Sequence, residues 1–211
     1  METVTNWIMS AGSAALIVVM TISWLASIRA QNSMQAVSSR WFSLPVWMQI
    51  ILGLVVIASF IYVGILLWIS LPLNPPPLMV KTLSVIGLAI YLAGLFLAFW
   101  ARWALGSMYG VSTSLSAQLQ KQHRLVQRGP FALVRHPMYL GYWLLLLGVT
   151  LVYRTWTPLI LLTMTLASFS RRAQREESAL AERFGAEWQM YAESVPMFLP
   201  RWKKKSKETN Q

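Results

Sequence analysis

The sequence predicts an all-α, polytopic membrane protein, with about five transmembrane helices, the last two a short hairpin, and a cytosolic C-terminal helix. Three observations carry this. Hydrophobic residues make up 56% of the 211 positions and charged residues only 12%, against about 25% charged in soluble domains. The apolar residues fall in charge-free runs of bilayer length. The polar connections between those runs are basic, and aspartate is absent, with five of the seven glutamates packed between positions 176 and 193.

Residues 7–28 form the first apolar run, longer than the roughly 20 residues that cross about 30 Å of hydrocarbon. It is read as a retained span, because no Lys or Arg precedes it and it is too long for the apolar core of a signal peptide. Residues 46–71 form the second, with Trp47 and Trp68 near its ends as interfacial anchors. The proline-rich stretch that follows, up to Pro77, is expected to leave the helix, since each proline removes a donor and restricts its predecessor. A third span is expected over 82–100. The hairpin comprises 137–153 and 157–170, with Pro158 expected at the first helical position of its second arm. Its arms are short for a bilayer, so the length admits either a full crossing or a re-entrant hairpin, and both leave the C-terminus on the same side. A helix over 171–184 emerges directly from the second arm and stops at Gly185. The organisation expected is thus 1–105 for the first three helices, 106–200 for a cofactor-binding half, and 201–211 for a basic tail.

Charge orients this topology. Five crossings with the N-terminus outside place Arg29, Arg40, the third loop and the C-terminal region in the cytosol and leave Lys81 and Arg154 outside, as basic residues favour the cytosolic side. The net charge of +11 is therefore assigned to topology rather than to nucleic acid, and the lysine tail at 203–207 to contact with anionic membrane lipids. The absence of cysteine removes disulfides, thiolate metal centres and cysteine nucleophiles. Two histidines, His123 and His136, without Asp or Cys partners, make no metal site.

Two stretches stand apart. The first runs from His123 through Gly129-Pro130-Phe131 to Arg135-His136-Pro137-Met138-Tyr139, so that a cytosolic loop leads into a buried helix. Pro137 in the first turn puts His136 near the N-cap, where unpaired N–H groups favour anions. The second is Arg172, Glu176 and Glu177. Arg172 and Glu176 lie four residues apart on one helix face, with Glu177 about 100° round. Taken separately, the first is an ordinary topology signal and the second an ordinary surface ion pair. The abundant Trp and Met residues are assigned to packing and lipid contact.

Together, His-x-Leu-Val, Gly-Pro-aromatic, Arg-His-Pro-x-Tyr-x-Gly, the hairpin, Arg-x-x-x-Glu-Glu and Tyr191 with Val195-Pro196 resemble the isoprenylcysteine carboxyl methyltransferase family, within the wider phospholipid methyltransferase-like group. The resemblance covers roughly 116–200. It implies a site for S-adenosylmethionine at the cytosolic membrane face, lined by His123, Leu125, Val126, Phe131, His136, Pro137, Met138 and Tyr139. Glu176 would engage the cofactor from the emerging helix, Arg172 would face the acceptor, and Arg135 and Glu177 would support them. Phe131 stands where the family commonly has tyrosine, so a hydroxyl contact is lost there while ring packing is retained.

The function that follows from the resemblance is methyl transfer from S-adenosylmethionine to the carboxylate of an isoprenylcysteine-like, lipophilic or lipid-anchored acceptor. Arg172 suits a carboxylate, whose two oxygens match its fork of donors. The alternatives are N-methylation of a phospholipid ethanolamine and S-methylation of a small thiol. More distant are a sterol-type reductase, for which no Gly-rich dinucleotide motif is present, and a non-enzymatic scaffold.

Overall fold

The computed structural model describes residues 2–31, 46–106 and 125–199, and these form six α-helices, a single 3-10 turn and no strand beyond one isolated bridge between Ser70 and Thr155. The helices are α1 (Glu2–Gln31), α2 (Val46–Leu66), α3 (Pro77–Leu105), α4 (Pro137–Tyr153), α5 (Trp156–Phe184) and α6 (Ala186–Ser194). The all-helical class holds. Among the described residues two segments, Glu2–Ser23 and Pro77–Leu105, are long and apolar enough to cross a membrane, while α4 is a shorter apolar helix. His123 and the lysine tail lie outside the described residues.

The third helix is longer than the expected 82–100. Pro77 opens it rather than preceding it, because a proline at the first helical position has no N–H to leave unpaired. In α5 the expected order is shifted. The helix starts at Trp156, so Pro158 sits third, still within the turn whose N–H groups have no intrahelical partner. Two of those early donors are taken up from outside, Trp156 N–H by the Ile69 carbonyl and Thr157 N–H by the Leu67 carbonyl. The expected helix over 171–184 is the continuation of α5, and Gly185, at φ 52°, ends it as anticipated. The short α6 beyond it was not anticipated. It buries Trp188 and Tyr191 against Val195, Leu180 and Phe184.

The central pairing is α3 against α4. It is close because glycines meet backbone: a Cβ on Gly148 would lie 2.6 Å from the Gly87 carbonyl oxygen, and one on Gly94 would lie 2.7 Å from the Gly141 carbonyl oxygen. Such small-residue faces let helices approach when no hydrophobic effect drives them together. The first helix docks on this pair through residues of one face. Asn6 Oδ1 accepts from the Tyr153 hydroxyl at 2.8 Å and the Met9 carbonyl from the Tyr91 hydroxyl at 2.8 Å. Ser13 Oγ lies 2.9 Å from that same Tyr91 oxygen. Further along, Met20 Sδ receives the Tyr142 hydroxyl at 3.3 Å and Ser23 Oγ receives Arg102 Nε at 2.7 Å. Positions 6, 9, 13, 20 and 23 keep three- and four-residue steps or their sum, the spacing of a single helix seam.

Candidate active site

The site is built where α4 begins and α5 leaves its apolar part. Gly129–Ala132 forms the 3-10 turn, with Pro130 and Val134 buried, and the chain then enters α4 with His136 as N-cap and Pro137 as first residue. The ring of His136 does not cap the helix. It turns toward α5, with Nε2 3.0 Å from Glu177 Oε1 and Nδ1 3.8 Å from Glu176 Oε2. Both ring nitrogens therefore face carboxylates of the protein.

Arg135 meets Glu177 at two points, Nε to Oε1 at 2.8 Å and Nη2 to Oε2 at 3.1 Å. Its Nη1 donates to the carbonyls of Ala192 at 2.7 Å and Val195 at 2.6 Å, and the guanidinium lies 5.8 Å from the Trp188 ring centre. A planar fork can serve all of these acceptors at once. Burial raises the carboxyl affinity of Glu177 for a proton, but the hydrogen bonds from His136 and Arg135 and the Arg135 charge outweigh it and hold the pKa below the usual range. Glu177 is thus an ionised structural anchor.

Glu176 has a different setting. Its Oε1 accepts from the Tyr139 hydroxyl at 2.7 Å and from Arg172 Nε at 3.1 Å. Its side chain is 26% exposed and that of Arg172 39%, so this carboxylate and guanidinium are reachable, whereas the Arg135 and Glu177 side chains are 13% and 19% exposed. Phe169, one turn before Arg172 on α5, stacks on Tyr139 with ring centres 4.9 Å apart. The polar cluster thereby passes directly into an aromatic wall on the apolar side.

The residues singled out in the sequence separate into groups. Arg135, His136, Tyr139, Arg172, Glu176 and Glu177 come together. Pro137 is fully buried in the first turn of α4 and Met138 is half-buried. Phe131 is tied through its carbonyl, which accepts from the Tyr191 hydroxyl at 2.7 Å. Burial pushes that hydroxyl up to about 12, so it remains a donor. Leu125 packs on the Trp188 and Tyr191 cluster, and Val126 is half-buried beside it in sequence.

Sequence reasoning missed Trp143, which was assigned with the other Trp residues to packing and lipid contact, and Phe169 and Phe198, which were given no role. Phe198 lies with its ring centre 5.7 Å from His136 and 4.6 Å from Trp143. It belongs to the segment 195–199, whose Pro196 and Met197 carbonyls accept from the N–H groups of Arg135 and His136 at 2.9 and 3.1 Å. No periodic pattern marks this strap. The Val195-Pro196 pair, which cannot continue α6, was its one signal.

Fold and site together define an all-helical protein, with segments long and apolar enough to cross a membrane and a half-buried carboxylate, guanidinium and phenol at the end of its apolar helices. A family model described as phospholipid methyltransferase matches residues 82–187, half of the chain, and the chain belongs to that family. It is similar to protein-S-isoprenylcysteine O-methyltransferase of Xenopus laevis, 35% identical over 121 residues that cover 56% of this chain and 41% of the relative. It is also similar to the protein of that name from Schizosaccharomyces pombe (strain 972 / ATCC 24843), 32% identical over 87 residues, 41% of this chain and 37% of the relative. A probable protein-S-isoprenylcysteine O-methyltransferase of Oryza sativa subsp. indica is 33% identical over 82 residues, 38% of this chain and 43% of the relative. The chain thus matches about two fifths of the length of each of these relatives. Their names agree with the resemblance read from the motifs.

Proposed function

We propose that this protein is an integral membrane methyltransferase that uses S-adenosylmethionine to methylate the carboxylate of an isoprenylcysteine-like, lipophilic acceptor at the cytosolic face. The observation that carries the reading is the Tyr139, Glu176 and Arg172 cluster, reachable and adjacent to the aromatic wall of Phe169. Membership of the methyltransferase family and the names of the similar proteins support it.

The chemistry of the residues fits such a donor. S-adenosylmethionine presents an ammonium, a sulfonium, a carboxylate and an adenine. A half-buried carboxylate fixed by a phenol and a guanidinium suits the positive groups, and apolar and aromatic side chains suit the ring. The bound cofactor supplies an electrophilic methyl group. Glu176 holds positive charge in place, and its hydrogen bonds to Tyr139 and Arg172 keep it from reorienting. Arg172, more exposed than its partner, positions the acceptor carboxylate. Methyl transfer to an acceptor carboxylate held by Arg172 would form an oxygen–carbon bond in place of the donor's carbon–sulfur bond and would leave a neutral thioether. A carboxylate is already deprotonated at neutral pH, so no general base is needed, and alignment with exclusion of water supplies the acceleration.

The proposed topology has five crossings with the N-terminus outside. In support, Leu71 N–H donates to the Arg154 carbonyl at 2.7 Å, which brings the α2–α3 connection and the α4–α5 turn to one end, away from Arg135 and Arg172. Lys81 and Arg154 then share the outer side.

The family description favours a second reading, N-methylation of a phospholipid amine. An ammonium must first lose a proton, which Glu176, Glu177 or His136 would take up. Transfer of a labelled methyl from S-adenosylmethionine to a panel of isoprenylcysteines, phosphatidylethanolamine and small thiols decides between them. A base-labile methyl ester on the isoprenylcysteine is the expected product, and label on nitrogen or sulfur overturns the carboxylate assignment. Absence of S-adenosylmethionine binding to folded protein, measured by calorimetry, overturns the methyltransferase reading altogether.

A further inference from the structure

The imidazole of His136 faces two carboxylates with its two edges, Glu177 at 3.0 Å and Glu176 at 3.8 Å. Both contacts depend on the rotation of the ring about its bond to Cβ, and that torsion is intrinsically broad for histidine. The rest of the structure must therefore set the ring plane. The backbone of His136 is fixed by its N–H bond to the Met197 carbonyl at 3.1 Å, and the next residue of that strap, Phe198, places its ring 5.7 Å from the imidazole at a tilt of 43°. Phe198 is held in turn by Trp143, 4.6 Å away at 56° and itself buried. Tyr139 stacks nearly parallel to the imidazole at 5.6 Å and 14°. Edge and offset contacts of this kind have preferred geometries, so they restrict rotation and do not merely fill space.

We infer that Phe198 is a positioning residue of the active site, fixing the plane of the His136 ring, whose Nδ1 edge lies 3.8 Å from Glu176, the carboxylate that faces a cationic methyl donor. The inference rests on the reading of Glu176 as the donor's anchor. Phe198 lies beyond residues 82–187, the part of the chain matched by the family model, so the strap 195–199 adds to the site from outside that region. Its reach to His136 follows from Arg135 as well, whose guanidinium binds the Ala192 and Val195 carbonyls and so fastens the root of the strap to the residue next to His136.

The test is S-adenosylmethionine binding by calorimetry on the full chain in detergent or nanodiscs, with the melting temperature recorded for each variant. F198L keeps apolar volume and removes the ring. It is expected to weaken donor binding about 3- to 10-fold, the scale of one lost aromatic pair, while F198Y stays within about 2-fold of wild type. Because Phe198 acts through His136, the double variant F198L/H136Q should bind no more weakly than H136Q alone. Wild-type affinity in F198L, equal losses in F198L and F198Y, or multiplying effects of F198L and H136Q would each overturn the inference. Failure of the wild-type chain to bind S-adenosylmethionine would instead overturn the methyltransferase reading, and the two failures are thereby distinguished.

Discussion

Arg135 and Glu177 meet across the start of α4 and the C-terminal half of α5 in a two-point contact of 2.8 and 3.1 Å, and the same guanidinium holds the carbonyls of Ala192 and Val195. One side chain thus ties α4, α5 and the end of α6 together.

Lysine has one compact ammonium and cannot hold the carboxylate at two points while reaching both carbonyls. R135K is expected to lower stability by about 1–3 kcal/mol, the scale of charge-assisted hydrogen bonds lost from partly buried groups. Thermal unfolding in detergent measures this. A melting temperature equal to that of wild type would show that the fork carries no structural role.

The depressed pKa of Glu177 gives a pH dependence with a definite sign. A carboxyl whose folded pKa lies below its unfolded value of about 4.3 stabilises the fold fully above that value, and the stabilisation is lost as pH falls through the folded pKa. Melting temperature should therefore decline below about pH 4.5, and E177Q should show a shallower decline because it has no proton to take up at that site. The comparison of the two acid-side slopes is the measurement, and equal slopes would assign the acid sensitivity elsewhere.

The part of the molecule that follows from local rules was legible in the sequence. Uninterrupted apolar runs mark helices because a backbone in hydrocarbon must satisfy its own hydrogen bonds, and Pro137 after His136 marks a helix start because proline is tolerated there. Arg172 and Glu176 share a face for the same local reason, and the structure finds them bonded. The strap was not legible. Its carbonyls take the N–H groups of Arg135 and His136, a pairing between segments about sixty residues apart in sequence that no periodicity encodes. The distinction between Glu176 and Glu177 was also tertiary. Adjacent in sequence, one is engaged by Tyr139 and Arg172 and the other by Arg135 and His136.

The docking of α1 rests on individual polar contacts within an apolar environment. Tyr91 is 1% exposed, and its hydroxyl donates to the Met9 carbonyl and lies beside Ser13 Oγ. Y91F retains the ring and removes both contacts. A loss of about 0.6 kcal/mol is expected, and no more than about 1.7 kcal/mol, the average and the largest value for interhelical hydrogen bonds of this kind. Y153F, whose bond to Asn6 is exposed, should cost less. Equilibrium unfolding in mixed micelles orders the two, and the reverse order would contradict the assignment of Tyr91 as the principal tie.

The α3–α4 interface makes the sharpest structural prediction because its glycines face backbone. A Cβ at Gly148 would lie 2.6 Å from the Gly87 carbonyl oxygen and 2.7 Å from the Tyr91 backbone nitrogen, neither of which can yield as a flexible side chain would. The helices must separate, and since the N-cap and first turn of α4 carry His136 and Tyr139, the separation also disturbs the site at that end of the helix. G148A is therefore expected to cost about 1–3 kcal/mol, as overpacking of a tight interior does, and to weaken S-adenosylmethionine binding in parallel. Gly64 is the control, for its added Cβ would meet nothing nearer than Thr157 Cγ2 at 3.8 Å, an ordinary contact. G64A should leave stability unchanged or raise it by up to about 1 kcal/mol, through the lower chain entropy of alanine in the unfolded state. Melting temperatures of the two variants, taken with donor affinity, test both halves: equal stability of G148A and G64A would mean that α3 and α4 are not held at backbone contact, and a destabilised G148A with wild-type donor affinity would mean that the site does not depend on their spacing.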